Sequence, residues 1–392
     1  MTAHHPSSDE IVMETLHSVR TLLGMEVAFV SEFRAGRRIF RYVDPPQGPV
    51  PLCVGGSDPL EDSYCQRVID GRLPEMIRDA TQNAEALTLP VTKALPVGAH
   101  LSVPIRFSDG QLYGTFCCFS RAAENSLNDR DMRAMRLFAD VTGKVLERQL
   151  ADENAHNERY TRLRDVLDAE RFTTVYQPII HVAQDRIVGF EALTRFSAEP
   201  ARPPDLWFDE AATVGLQEEL ELAAIRKALP GLARLPDDAY LSLNVSPTTL
   251  LKGSVAAVLA GYPFERLLLE VTEHESISDY SPIAAVLQPM RQRGLRLAVD
   301  DAGAGYASFR HILKLQPDVI KLDLSLIRKI DSDRGSRALA AALVRFAEET
   351  GSKVVAEGVE TAGELQALRE LKVNKAQGYL LGAPAPLEAL NF

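Results

Sequence analysis

Seven short apolar runs in the C-terminal half of the chain end on polar side chains: Glu191, Asn244, Glu270, the pair Asp300 and Asp301, Lys321, Glu357 and Gln377. Carboxylate and amide oxygens are hard ligands that suit Mg²⁺ or Mn²⁺. An ammonium or an amide N–H can hold a phosphate oxygen. Any one of these residues alone reads as a solvated turn residue; their recurrence at the ends of successive runs points to a metal or phosphate site.

The runs that must position them are VGFEALTR, YLSLNVS, RLLLEVTE, LRLAVDD, VIKLD, KVVAEGVE and QGYLLG, rich in Val, Ile and Leu and bounded by turn and charge signals. Their terminal polar residues stand 53, 26, 30, 21, 36 and 20 positions apart, and most of these intervals suit one strand, one helix and two loops. Helix-length segments such as Glu218 to Leu229, Ile283 to Arg293 and Ser336 to Glu349 lie between them. Such alternation predicts a parallel sheet closed into an α/β barrel, whose strand carboxyl ends share one face. Asp300 and Asp301 are adjacent, and adjacent strand residues face opposite ways, so both reach one site only where their strand has ended.

The 392 residues suffice for two domains, and a hydrophobic content of 46% is ample for buried cores. A net charge of −11 argues against broad binding to polymeric nucleic acid or an anionic membrane. It does not exclude a phosphorylated small molecule, because bound cations invert the field of a carboxylate-rich pocket. No apolar run reaches the roughly 18 residues of a membrane span, and MTAHHPSSDEIVMETLHSV lacks the apolar stretch of a secretion signal, so a cytoplasmic protein is expected. The four cysteines, Cys53, Cys65, Cys117 and Cys118, lack zinc-site spacing and are expected as free thiols. Within GTFCCFS, a redox role for the Cys117 and Cys118 pair competes with core packing, and packing is favoured.

Residues 10–150 read as an α+β domain. A helix over Ile11 to Leu23 leads into strands MEVAFVSEF and RRIFRYVD, which turn at Ala35 and Gly36, and a helical stretch follows near Tyr64 to Asp70. Strands AHLSVPIRF and QLYGTFCCF flank a hairpin turn at Ser108, Asp109 and Gly110. A closing helix begins near Asn128, with acidic residues in its first turn. Residues 151–168 read as a helical linker and 169–392 as the barrel. Apolar residues at helical spacing, Met132, Met135, Phe138, Val145, Tyr160, Leu163, Val166 and Leu167, suggest pairing with a twin in a homodimer, although ADENAHNER is too polar for a continuous seam. A solvated monomeric linker is the alternative.

The sequence LSVPIRFSDGQLYGTFCCF followed by LNDRDMRAMRLFAD resembles a GAF domain over about 140 residues. The resemblance implies a small-ligand sensor or dimerisation module and names no ligand; Cys65 and His100 are weak candidates for attaching a chromophore or ligating haem. Farther along, YQPI at 176–179, EALTR at 191–195, NVS at 244–246, EVTE at 270–273, DDAGAGYAS at 300–308, KLD at 321–323, EGVE at 357–360 and QGYLLGAP at 377–384 stand in order. Together they resemble an EAL domain, the family of phosphodiesterases that cut cyclic di-GMP.

The resemblance implies hydrolysis of cyclic di-GMP to linear pGpG with two Mg²⁺ or Mn²⁺ ions. It assigns Glu191, Asn244, Glu270 and Asp300 to the first metal, Asp300 and Asp301 to the second, and Gln377 to a water of the metal shell. Glu357 is the implied general base, Lys321 orients the attacking water or a phosphate oxygen, and Glu273 steadies the loop after Asp301. Gln177 and Arg195 are implied to grip the dinucleotide, Arg195 by forked hydrogen bonds. The chain departs from the family pattern DDFGTGYSS at Ala302 and Ala304, which puts the docking of that loop in doubt but removes no ligand. The alternative reading is a barrel that binds cyclic di-GMP without cutting it and signals through a partner protein. A weaker third reading is cleavage of another short phosphodiester.

Overall fold

Two sets of strands with different neighbours divide the chain into compact units, residues 1–155 and 156–392. The computed structural model describes residues 6–46, 52–271, 279–302 and 312–390, with only the backbone of 301 and 302. Glu273, the side chain of Asp301 and the loop residues 303–311 therefore lie outside the described residues.

The first unit is an antiparallel sheet of β1 (Val27–Arg34), β2 (Arg37–Asp44), β3 (Ser57–Pro59), β4 (Met76–Ile77), β5 (Ala99–Arg106) and β6 (Leu112–Ser120), in the order β3-β2-β1-β6-β5-β4. Ala35 and Gly36 both take positive φ, the backbone of a two-residue hairpin turn, and so fix the β1–β2 register. Helix α1 (Ser8–Leu22) starts at a reciprocal Ser7–Glu10 capping box and buries Val12, Leu16 and Val19. Those residues join a core on one face of the sheet with Met132, Met135, Ala139 and Leu146. The other face packs Val27, Phe29, Phe40 and Cys117 against α2 (Tyr64–Ile69) and the segments leading to α3 (Pro90–Ala94).

A single helix, α4, runs from Asp129 to Asp168. Much of the stripe proposed for pairing with a twin is used within the chain. Met132 and Met135 belong to the first unit's core, and Leu163 and Val166 pack with Trp207 of α5 (Pro204–Thr213) in the second. Leu137, Val141, Leu150 and Tyr160 are the larger apolar side chains of α4 left exposed.

The second unit is a closed barrel of β7 (Phe172–His181), β8 (Arg186–Phe196), β9 (Tyr240–Val245), β10 (Leu267–Val271), β11 (Arg296–Ala302), β12 (Val319–Leu322), β13 (Lys353–Ala356) and β14 (Lys375–Ala376). It departs from the all-parallel expectation at β7, which forms a hairpin with β8 and runs antiparallel to both β8 and β14. A hairpin needs only a short connection, whereas a parallel pair needs a crossover. The run QGYLLG is not a strand: β14 ends at Ala376, and Gln377 opens a turn whose backbone bonds to Val359. Gly378 lies so close that a Cβ there would meet Val359 N at 2.2 Å.

The strands read as continuous apolar runs because both faces are covered. Leu241, Leu243, Leu267, Leu269, Leu297, Val299, Ile320, Leu322, Val354 and Ala356 belong to the large core that also takes in surrounding helices, including Leu222 and Ile225 of α6 (Gln217–Ala228). Ile179, Val188, Tyr240, Leu268, Ala298, Val319 and Val355 form a separate buried cluster, an apolar layer inside the barrel. Two residues beyond members of that layer stand Glu270, Asp300, Lys321 and Glu357. The strand period of two thus turns them to the same interior, one layer nearer the carboxyl ends.

Candidate active site

Lys321 is the centre of this upper layer. Its buried Nζ lies 2.5 Å from Glu357 Oε1, 2.6 Å from Glu270 Oε2, 3.4 Å from Asp300 Oδ1 and 3.7 Å from Glu191 Oε1. One ammonium is shared by four carboxyl groups contributed by β8, β10, β11 and the segment after β13. Glu191 also accepts from Asn244 Nδ2 at 3.0 Å and from Gln377 Nε2. Gln377 Nε2 donates in addition to Gln177 Oε1 at 3.1 Å, and Gln177 Nε2 donates to the Gly382 carbonyl at 3.1 Å. The structure therefore brings together Glu191, Asn244, Glu270, Asp300, Lys321, Glu357, Gln377 and Gln177.

Burial and crowding set the protonation of the group. Burial alone would push Glu191 up, but Lys321 and the hydrogen bonds from Gln377 and Asn244 hold it below the usual carboxylate range. Glu270 is pushed up to about 8 by burial and by Glu191, against the pull of Lys321. Glu357 is driven well above its ordinary value by burial; Lys321 opposes the rise, while Asp300, Glu191 and Glu270 add to it. Burial would discharge Lys321, but the surrounding carboxylates hold its pKa well above the ordinary lysine value.

Arg195 is not in this ring. Its exposed side chain lines an adjoining cavity of about 500 Å³ together with Asn244, Thr194, Asp205, Phe208 and Asp209. That volume lies within the range of small-molecule sites. Two supporting residues escaped the sequence reading. Ser242 Oγ donates to Glu270 Oε1, and its signal was available, since it stands two residues before Asn244 on the same strand face. Glu221 of α6, raised in pKa by burial, accepts from the backbone N and Oγ of Ser246 and so anchors the chain just past Asn244. No local pattern around Glu221 signals that long-range contact.

Among the described residues no three Asp, Glu, His or Cys side chains close into a ligating arrangement. The donor chemistry nevertheless fits hard divalent cations. The donors are oxygens, Glu191 and Glu270 are buried, and Gln377 Oε1 is buried without a hydrogen-bond partner among the described residues.

A barrel with carboxylates, an amide pair and a lysine at its strand ends, beside a cavity of small-molecule size, defines a class of sites whose donors suit hard cations and anions. Comparison with known proteins narrows the class. The EAL domain model matches residues 161–384 and a GAF domain model matches residues 5–147. The chain belongs to the EAL domain family, with a GAF domain preceding the barrel. It is 31% identical over 254 residues to the cyclic di-GMP phosphodiesterase PdeF of Escherichia coli K12, covering 62% of this chain and 33% of the relative. To the cyclic di-GMP phosphodiesterase NbdA of Pseudomonas aeruginosa it is 31% identical over 240 residues, covering 58% of this chain and 31% of the relative. The solved PaMucR phosphodiesterase in complex with c-di-GMP matches with a TM-score of 0.54 at 27% identity, over 60% of this chain and 100% of that one. The chain spans between 31% and 48% of the length of these and other curated relatives that it matches. Among the described residues no helix is long and apolar enough to cross a membrane.

Proposed function

We propose that the barrel is a metal-dependent phosphodiesterase that hydrolyses cyclic di-GMP to linear pGpG, under the control of the N-terminal GAF domain. The observation that carries the reading is the ring of Glu191, Asn244, Glu270, Asp300 and Glu357 around Lys321, opening beside the 500 Å³ cavity. The names of PdeF, NbdA and the PaMucR complex support the substrate.

Glu191, Asn244, Glu270, Asp300 and Asp301 would hold two divalent ions, which when bound supply a water nucleophile at neutral pH and offset phosphate charge. Glu357 accepts the proton of the attacking water as the general base. Lys321 holds Glu357 by an ion pair of 2.5 Å and would orient the attacking water or a phosphate oxygen. Gln377 steadies Glu191, and its Oε1, without a partner among the described residues, would accept from a water beside it. Gln177 and Arg195 hold the dinucleotide, and Glu273 secures the loop after Asp301. A homodimer using the exposed apolar side chains of α4, in the cytoplasm, completes the proposal.

The test is incubation of the purified chain with cyclic di-GMP and Mg²⁺ or Mn²⁺, with nucleotides followed by chromatography. The expected product is pGpG, abolished by EDTA. Nucleotide binding without any product in saturating metal would replace the enzyme reading with the receptor reading. Faster cleavage of another dinucleotide would move the substrate.

A further inference from the structure

The interior of the first unit holds a second buried ionic group, unrelated to the barrel. Arg38 of β2, only 5% exposed, donates from Nη1 to Cys65 Sγ at 3.1 Å and from Nε to Asp58 Oδ1 at 3.0 Å. Its guanidinium lies over Phe40, 4.8 Å from the ring centroid. Cys65 on α2 stands 3.5 Å, sulfur to sulfur, from Cys117 on β6, although the two are 52 residues apart in sequence. Cys117 Sγ also has Ser102 Oγ and Thr115 Oγ1 at 3.2 Å. The sequence offered Cys118 as the neighbour of Cys117, but adjacent strand residues face opposite ways. Cys118 therefore lies in the other core, 3.9 Å from Met135 Sδ.

We propose that Cys65 and Cys117 form a thiol pair that a hydroperoxide oxidises to a disulfide, with Cys65 as the attacking sulfur and Arg38 as the residue that activates it. Burial would raise the Cys65 thiol, but the hydrogen bond from Cys117 and the charge of Arg38 reverse the effect and lower it to about 5. Burial and the neighbouring Cys65 push Cys117 well up, so it keeps its proton and donates it. In the first step the Cys65 thiolate attacks one oxygen of hydrogen peroxide, the O–O bond breaks, and hydroxide leaves. Cys65 is then a sulfenic acid, oxidised by two electrons, and the peroxide is reduced. In the second step Cys117 gives its proton to the leaving oxygen and its sulfur attacks that of Cys65. The S–S bond forms, the S–O bond breaks, and water departs. The net change is one thiolate, one thiol and one peroxide to one disulfide, one water and one hydroxide. The sulfurs must close from 3.5 Å to a bond of about 2 Å. Oxidation leaves Arg38 with Asp58 as its remaining ionic partner and ties α2 to β6.

Both sulfurs are fully buried, so a peroxide reaches them through local opening, and the equally buried Cys118 is an internal control for access. The experiment uses the full chain carrying Cys53→Ala, which removes the exposed thiol. The reduced protein is treated with hydrogen peroxide, remaining thiols are alkylated after denaturation, and peptides are mapped by mass spectrometry. The expected result is a Cys65–Cys117 linked peptide, with Cys65 lost at least about tenfold faster than Cys118. In Cys117→Ser, Cys65 should instead accumulate as a sulfenic acid captured by dimedone. Arg38→Met should slow the loss of Cys65 to the Cys118 rate, and Arg38→Lys should restore part of it. Loss of Cys65 and Cys118 at equal rates, or oxidation of Cys65 with Cys117 left alkylatable, would overturn the proposal.

Discussion

Each unit buries a cation among anions, and the two groups are balanced differently. In the first, Arg38 faces one carboxylate, Asp58, and one thiolate, Cys65, so the acid excess is small. In the barrel, Lys321 faces Glu191, Glu270, Asp300 and Glu357, an excess of acid that forces Glu270 and Glu357 toward their protonated forms. A fold has no use for a surplus of buried carboxylates, each of which costs desolvation. The surplus is understandable where further positive charge arrives from outside, and the Arg38 group, with its smaller excess, has less such need.

The largest expected effect tests the barrel side of this contrast. Glu357→Gln should lower turnover by roughly 100- to 10,000-fold while nucleotide binding persists. Full activity in that variant, measured by pGpG release, would remove the base from Glu357 and leave the acid surplus without a catalytic purpose. Next, Lys321→Met removes the ammonium shared by four carboxyl groups and should cost the barrel about 3–5 kcal/mol, read from its unfolding transition in chelator. Arg38→Met should cost the first unit less, about 1–3 kcal/mol, because Asp58 is 36% exposed and can hydrate while Cys65 takes a proton. Equal losses would mean that the two buried ionic groups do not differ as described.

The smallest effect is a difference in sign. His100 is buried, with its ring 4.6 Å from that of Tyr64, and burial followed by the charge of Arg38 lowers its pKa from 6.5 to about 3. Its contribution is complete above 6.5 and is lost as pH falls toward 3; Cys65, lowered from 9.0 to about 5, acts in the same direction. Glu270 runs the other way. Raised from 4.5 to about 8, it contributes fully below 4.5 and loses that contribution as pH rises through 8. Calorimetry in chelator between pH 5 and 8 should therefore show the first unit's transition rising with pH and the barrel's falling. His100→Asn and Glu270→Gln should each reduce one slope, and parallel slopes in the unsubstituted chain would contradict the assignment.

Much of the barrel was legible because its signals are local. Short apolar runs, the helix-length segments between them and a polar residue closing each run survive in one dimension. The antiparallel β7 did not stand out, because YQPI looks like any other strand and its direction depends on which neighbour it pairs with. Gln377 was identified as polar at the end of a run, yet it opens a turn, because the close approach of Gly378 to Val359 is a long-range contact. On α4 the stripe of Met132, Met135, Leu163 and Val166 was correctly read as apolar, but periodicity cannot say whether a helix face meets its own chain or another.

What the sequence alone determined is the alphabet of the site and its order along the chain, since oxygen donors, a lysine and their strand-end positions follow from residue type and the period of two. Only the tertiary structure decided that one ammonium would be shared by four carboxyl groups, and that Cys117 would meet Cys65 rather than the cysteine beside it. Both outcomes depend on distances between residues far apart in sequence, and burial then sets the charges those residues carry, by desolvating them and bringing their neighbours within a few ångströms.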